Sequence, residues 1–478
     1  MDFFEDIRWA FLPELIIIGF IFINVFLALF FKKKFYKTSQ WIAIFGILAS
    51  FASIGFIQAE PTYYAFNNSL VSNVYTVFFK SLILVASFFV VLLSNKIVQK
   101  RRAQSFEYFA VLFAGILGAL MFVSANDFLV LYFAFGLLGI SCSLLISSFK
   151  KFSAKNTGLK YLINDIIASG MLALGVSYLY ILTKEINFDL IADSLIGYQG
   201  GLLLAFAVIL IVSGVMFKII AVPFIGWLPC VYKGTDYSVA AFLSLIPVIS
   251  GFSVLSRILL VFSDYVPLLG VVVVIFGLMS IFIGGYGAIK ENDVKRFMGC
   301  SSTIHSGFIL LVLGVINVYN IAGMLYYLIC YLFINIAMWA GLINNSILNR
   351  CDDLASFKGV AFSRPFYSLA MVFVLMGLIG LPPTSGFLAK LFILSAVAKL
   401  GFMYVIFLLI ALLLSVIAMI AYLRFIAIMF ESNHNNLRLN GKTEFSKITM
   451  YFCTIVTILL CFYSSKIVEL CELIAYSL

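Results

Sequence analysis

The chain has 478 residues, 64% hydrophobic and only 11% charged, against roughly 25% charged in a soluble globular domain. That composition excludes a water-soluble fold and indicates a polytopic helical membrane protein, with the lipid bilayer as its first partner. The formal charge of +10 raises nucleic acid as a partner, but such binding needs a clustered basic footprint, and the loop pattern below excludes it.

The start, Met1-Asp-Phe-Phe-Glu-Asp6, is acidic, unlike the positive n-region of a cleavable signal peptide. About fourteen apolar runs follow, each near the ~20 residues that cross a hydrocarbon core. They lie at 12–31, 40–58, 74–94, 107–124, 128–148, 158–182, 202–223, 238–260, 266–288, 299–317, 320–345, 366–398, 403–430 and 448–464. No connection is long enough for a separate soluble domain, so 1–478 is expected to be one all-α membrane domain.

Basic residues gather in every second connection. These hold Lys32, Lys33, Lys34 and Lys37; Lys96, Lys100, Arg101 and Arg102; Lys150, Lys151 and Lys155; Lys233; Lys290, Lys295 and Arg296; Arg350, Lys358 and Arg364; and Arg438, Lys442 and Lys447. Together they are 21 of the 31 basic residues. The remaining connections and the termini hold only Arg8, Lys184, Lys399 and Lys466. By the positive-inside rule both termini are expected on the outer face.

Two runs are interrupted. The first reads Phe217-Lys-Ile-Ile-Ala-Val-Pro-Phe-Ile-Gly-Trp-Leu-Pro229, with Pro223 as its helix break. The second reads Gly377-Leu-Ile-Gly-Leu-Pro-Pro-Thr-Ser-Gly-Phe-Leu-Ala-Lys390, broken at Pro382 and Pro383. Proline removes a backbone donor and favours local unwinding. Broken helices at corresponding places in two halves point to an ion path. Each break carries a lysine, Lys218 and Lys390, and an ammonium at bilayer depth costs at least about 2.5 kcal/mol on insertion scales. Burial and neighbouring charge together decide whether such a lysine holds its proton, so the pair suits proton handling.

Other intramembrane polar groups read as weaker candidates. Lys160 and Asp165 stand five apart, which puts them on different helix faces, and Lys160 is shallow enough to snorkel. His305 follows Ser301-Ser-Thr-Ile304 and divides between a structural and a functional role. Lys80, Arg257 and Arg424 read as anchors near span ends, and Glu14 as a solvated helix start. The cysteines Cys142, Cys230, Cys300, Cys330, Cys351, Cys453, Cys461 and Cys471 are scattered small fillers. With only His305 and His434, no metal-ligand spacing exists. No dinucleotide fingerprint or P-loop is present, so no cofactor is expected on this chain.

Several strings, in order, resemble the antiporter-like membrane subunits of respiratory complex I. They are Leu12-Pro-Glu-Leu15, Phe78-Phe-Lys80, Leu159-Lys-Tyr161, Phe217-Lys218, Val222-Pro-Phe224, Trp227-Leu-Pro229 and Val231-Tyr-Lys-Gly234. Then come Asp293-Val-Lys-Arg296, Ser301-Ser302 with His305, Gly380-Leu-Pro-Pro383, Gly386-Phe387 with Lys390, and Tyr422-Leu-Arg424. The length and the lack of a C-terminal extension fit the N-type subunit best. The resemblance implies fourteen helices with two inverted five-helix repeats, each with a broken helix. Residues 1–100 would be N-terminal helices, 107–260 the first repeat, 266–430 the second and 448–478 a C-terminal helix. It implies a proton path through Lys390, Lys218, Lys160 and His305. It also implies other complex I membrane subunits as partners, an energy-transducing membrane such as the bacterial inner membrane, and FMN, iron–sulfur clusters and quinone held by other subunits. A sodium/proton antiporter subunit and a non-pumping scaffold are the alternatives.

The chain departs from the family pattern in the first repeat. Gly136 stands where a glutamate is usual, Val248 where a lysine is usual and Ile225 where a histidine follows the Val-Pro-Phe triplet. Asp165 is a candidate stand-in for the acid, argued against by its helical face. The expectation is a first repeat whose lysine has lost its charged neighbours, with Lys390 the more consequential of the two.

Overall fold

The computed structural model describes residues 11–30, 36–57, 62–95, 105–148, 152–196, 201–262, 264–266, 268–349, 352–398, 402–431 and 444–478. Arg8, Lys32, Lys33, Lys34, Glu60, Lys96, Lys100, Arg101, Arg102, Lys150, Lys151, Arg350, Cys351, Lys399, His434, Arg438 and Lys442 lie outside these described residues.

Each expected run forms helix. Among the described residues eleven helices are long and apolar enough to cross a membrane. The other three crossings are a helix at Tyr36–Ile54 and the two interrupted runs. Among the described residues the only sheet is a two-stranded hairpin, β1 (Tyr63–Ala65) with β2 (Leu70–Ser72). Strands of three residues are too short to leave an alternating pattern in the sequence, and the hairpin was not expected. Its Ala65 and Leu70 pack with Phe11.

The chain divides into two compact units. The first comprises Met1–Ile219, Gly234–Leu269 and Tyr476–Leu478. Its helices are α1 (Leu12–Phe30), α2 (Tyr36–Ile54), α3 (Val74–Leu93), α4 (Ser105–Ser124), α5 (Phe128–Ser147), α6 (Phe152–Thr183), α7 (Phe188–Ser194) and α8 (Leu202–Lys218). After α9 (Leu228–Gly234) the first unit continues with α10 (Tyr237–Phe262). The second unit comprises Ile220–Lys233 and Gly270–Ala475. It holds α11 (Leu269–Lys290), α12 (Val294–Leu313), α13 (Val318–Asn349), α14 (Val360–Ser363), α15 (Pro365–Ile379), α16 (Ser385–Ala398), α17 (Phe402–Phe430), α18 (Glu444–Phe462) and α19 (Ser464–Tyr476).

In lipid, close helix pairs are made by small residues that let backbones approach. In the first unit Asp165, Ala168, Leu172 and Gly175 form one stripe of α6. Ala207, Ile211, Gly214 and Lys218 form the facing stripe of α8. A Cβ on Gly175 would lie 2.7 Å from the Ala207 carbonyl oxygen, and one on Gly214 2.9 Å from that of Ala168. In the second unit Gly277 of α11 meets Gly307 of α12, where a Cβ would lie 2.9 Å from the Gly307 carbonyl oxygen.

The two units repeat one local device. In the first, Asn126-Asp127 joins α4 to α5, and Asp127 caps α5 by accepting from Leu129 N at 2.6 Å. Phe128 N donates to Ile186 O at 3.0 Å and Phe188 N to Asn126 O at 3.0 Å. Arg257 of α10 closes the turn, donating to Ala125 O at 2.5 Å and Asn126 Oδ1 at 2.7 Å. In the second unit Asn292-Asp293 joins α11 to α12, and Asp293 accepts from Lys295 N and Arg296 N at 3.0 and 3.1 Å. Val294 N donates to Asp352 O at 2.9 Å and Leu354 N to Asn292 O at 2.8 Å. Arg424 of α17 donates to Ile289 O and, at 2.5 Å, to Asn292 Oδ1.

This device corrects two expectations. Arg257 and Arg424 are internal staples, because a guanidinium has several donors and each turn exposes carbonyls that the helices leave unpaired. Lys295 and Arg296 lie in the first turn of α12 rather than in a loop, because the Asp293 side chain starts the helix there.

Candidate functional site

In the second unit α15 ends at Gly380, whose φ of +83° suits glycine because it has no Cβ. Gly380 N and Leu381 N both return to Met376 O, at 2.8 and 2.9 Å. The following carbonyls, Leu378 O and Ile379 O, are free to accept from elsewhere. Lys390 of α16 fills that role, its Nζ donating to them at 3.1 and 2.6 Å. A Cβ at Gly380 would press on Lys390 Cδ at 2.7 Å, so the missing side chain also makes room for the lysine stem. The ammonium thus sits at the negative end of a helix dipole, 4.6 Å from the centre of the Phe308 ring. The residue is only 8% exposed. Among the described residues no carboxylate lies within ion-pair distance of it.

Leu378 and Ala389, beside this lysine, also line a small cavity with His305, Tyr327, Cys330, Tyr331 and Gly386. Its volume of about 10 Å³ is on the order of the space one water needs. His305 is buried. Its Nδ1 lies 2.7 Å from Tyr327 Oη, and its Nε2 has no hydrogen-bond partner among the described residues. The cavity is therefore lined by His305 and lies beside residues that flank or bond Lys390.

In the first unit Lys218 is the last residue of α8, where the helix stops before the Pro223 segment. It is 1% exposed. Its Nζ donates to Asp165 Oδ1 at 2.5 Å and lies 4.0 Å from the centre of the Phe135 ring. Asp165 is 4% exposed. A Cβ on Gly139 of α5 would overlap the Asp165 carboxylate, so the glycine is the space into which the acid fits.

This overturns the expectation that Lys218 lacks a charged neighbour. The face of α6 that carries Asp165 is set by the seam with α8, and that seam ends on Lys218. The spacing of Asp165 from Lys160 has no bearing on it. The 3–4 spacing of the two stripes was the signal available in the sequence. Lys160 itself is exposed, and the structure does not bring it to the buried pair. Gly136 is half-buried, and a Cβ added there would meet nothing within 4 Å. Val248 is buried in α10 and Ile225 half-buried in the break. Pro223 and Pro382 are exposed, and Pro383 is exposed beside Thr384 in the second break.

A second correction lies in the first unit. Glu14 is buried, and its Oε1 lies 2.7 Å from Nζ of the fully buried Lys80. The lysine also lies 4.8 Å from the centre of the Phe11 ring. Lys80 and Glu14 are thus partners rather than an anchor and a solvated helix start. One belongs to α1 and the other to α3, which is why no local spacing rule finds them.

Residues 125–418 match the family described as NADH:quinone oxidoreductase/Mrp antiporter, TM. A chloroplastic NAD(P)H-quinone oxidoreductase subunit 2 from Mesostigma viride is 31% identical, with 88% of this chain and 84% of that protein covered. An NADH-quinone oxidoreductase subunit N from Heliobacterium modesticaldum is 29% identical, with 94% of each covered. A chain of the solved respiratory complex I from Thermus thermophilus superposes with a TM-score of 0.80 at 20% identity, covering 96% of this chain and 98% of that one. With its interrupted helices and buried lysines, the chain belongs to the NADH:quinone oxidoreductase/Mrp antiporter membrane-subunit family.

Proposed function

We propose that the chain is an N-type membrane subunit of a proton-pumping NADH:quinone oxidoreductase, moving protons as quinone is reduced in other subunits. The observation that carries this reading is Lys390: a buried amine held by helix-end carbonyls, with no carboxylate within ion-pair distance among the described residues, next to a small cavity lined by His305. Protonation adds a full charge where only partial charges answer it, so changes nearby act strongly on proton binding. Lys390 binds and releases the proton at Nζ. The small cavity beside His305 and Leu378 provides room for a water to take part in transfer, and Tyr327 holds the imidazole at Nδ1.

FMN, iron–sulfur clusters and quinone belong to other subunits in this reading. In this reading the membrane is an energy-transducing one, the bacterial inner membrane, and the alternating basic connections support both termini on its outer face. The competing reading, a subunit of a sodium/proton antiporter, comes from the breadth of the family itself. Purifying the tagged chain from its native membrane separates them. Co-purified flavin and iron–sulfur proteins with NADH-driven proton uptake are expected. Cation exchange without those proteins would overturn the proposal in favour of the antiporter.

A further inference from the structure

We propose that Asp165 is the positioning acid of a working proton site at Lys218, and that Gly139 is the clearance that admits its carboxylate. This rests on the proposed function. The argument is geometric. Both partners are buried, their contact is 2.5 Å, and the acid occupies the volume that any side chain at Gly139 would take. Lys218 is also the terminal residue of α8, where regular helix gives way to irregular backbone, so no continuing helix holds the amine on its C-terminal side. The distance to the carboxylate sets how firmly the amine holds its proton. Release breaks one Nζ–H bond, passes the proton to water and leaves a neutral amine; uptake reverses both changes. Cys142 of α5 and Tyr161 of α6 are the other titratable side chains described around the pair. Tyr161 packs on Phe217, with ring centres 5.4 Å apart.

The test uses the intact complex in proteoliposomes, supplied with NADH and quinone, and reads assembly, proton uptake per electron and its pH profile. Asp165→Asn removes the charge, and Gly139→Ala displaces the carboxylate while leaving both charged residues in place. Each is expected to lower proton uptake per electron and to shift the pH profile. Wild-type uptake in both would overturn the inference. Should Asp165→Asn prevent assembly, Asp165→Asn with Lys218→Met leaves no unpaired ammonium and carries the test. That double variant is expected to assemble without recovering pumping, and full recovery would reduce the pair to a structural contact and overturn the inference. Lys390→Ala in the same assay keeps the two claims apart. If it pumps normally, the proposed function fails; if only the Asp165 and Gly139 variants pump normally, the inference alone fails.

Discussion

The two units hold their buried lysines by different means. Lys218 faces a full countercharge, Asp165, at 2.5 Å. Lys390 faces two carbonyl oxygens at the end of α15 and the Phe308 ring. A helix terminus supplies about half an elementary charge, worth up to about 2 kcal/mol in favourable, partly buried geometry. A buried carboxylate supplies a whole one, and losing it is far more damaging. The same interrupted-helix plan thus gives one site secured by a partner and one secured only by dipoles. The difference teaches that a broken helix can itself hold a cation when its last carbonyls are left open.

The largest effect is expected at the dipole-held site. Lys390→Ala should abolish coupled proton uptake, because its two carbonyls offer no other titratable group. The proton-to-electron ratio of the reconstituted complex measures this. An unchanged ratio would break the comparison, since it would leave Lys390 as a helix cap only.

The next effect concerns stability and falls on the paired site. Asp165→Ala leaves Lys218 buried without its countercharge, and removing one partner of a buried pair costs about 3–5 kcal/mol. Thermal unfolding of the detergent-solubilised complex should show an earlier loss of the first unit. Glu14→Ala should behave alike, since Lys80 is fully buried. Gly380→Ala in the second unit should instead impair proton uptake, by crowding Lys390 Cδ and straining a φ of +83°. Equal stability losses from Asp165→Ala and Lys390→Ala would erase the distinction between the two settings.

A smaller effect should be shared by both units. Arg257→Ala and Arg424→Ala each remove a guanidinium that closes an Asn-Asp turn. Hydrogen bonds to charged groups contribute about 1.5–3 kcal/mol each, net of exchange with water. Similar losses in melting temperature would show that the repeated device works alike in both units. A loss from only one would mark the units as unequal in their turns as well as in their lysines.

Much of this architecture was legible because lipid imposes simple rules. Every crossing needs a long apolar run, and irregular backbone at depth is tolerated only where protein or a cavity satisfies it. The two breaks and their lysines therefore stood out. What stayed hidden was rotation about helix axes. Nothing in the spacing of Lys160 and Asp165 reveals which face of α6 meets α8; the close approach at Gly175 and Gly214 decides that. Glu14 and Lys80 meet only through the packing of distant helices. Arg257 and Arg424 read as anchors because an apolar run shows a guanidinium's depth without showing the carbonyls waiting for it.

The smallest expected effect sharpens the contrast between two glycines one helical turn apart on α5. Gly136 has nothing within 4 Å of an added Cβ, whereas Gly139 has the Asp165 carboxylate in that space. Gly136→Ala should therefore change stability by no more than about 0.5 kcal/mol, the usual range for a site with no special contact. Its better helix propensity should offset any slight repacking. Gly139→Ala must move either α5 or the acid. Measured side by side by thermal unfolding, the two variants test whether local clearance, rather than glycine content, is what α5 contributes to Lys218. A comparable loss from both would mean that the helix needs flexibility at this turn, and the acid's fit beside Gly139 would no longer explain why a glycine stands there.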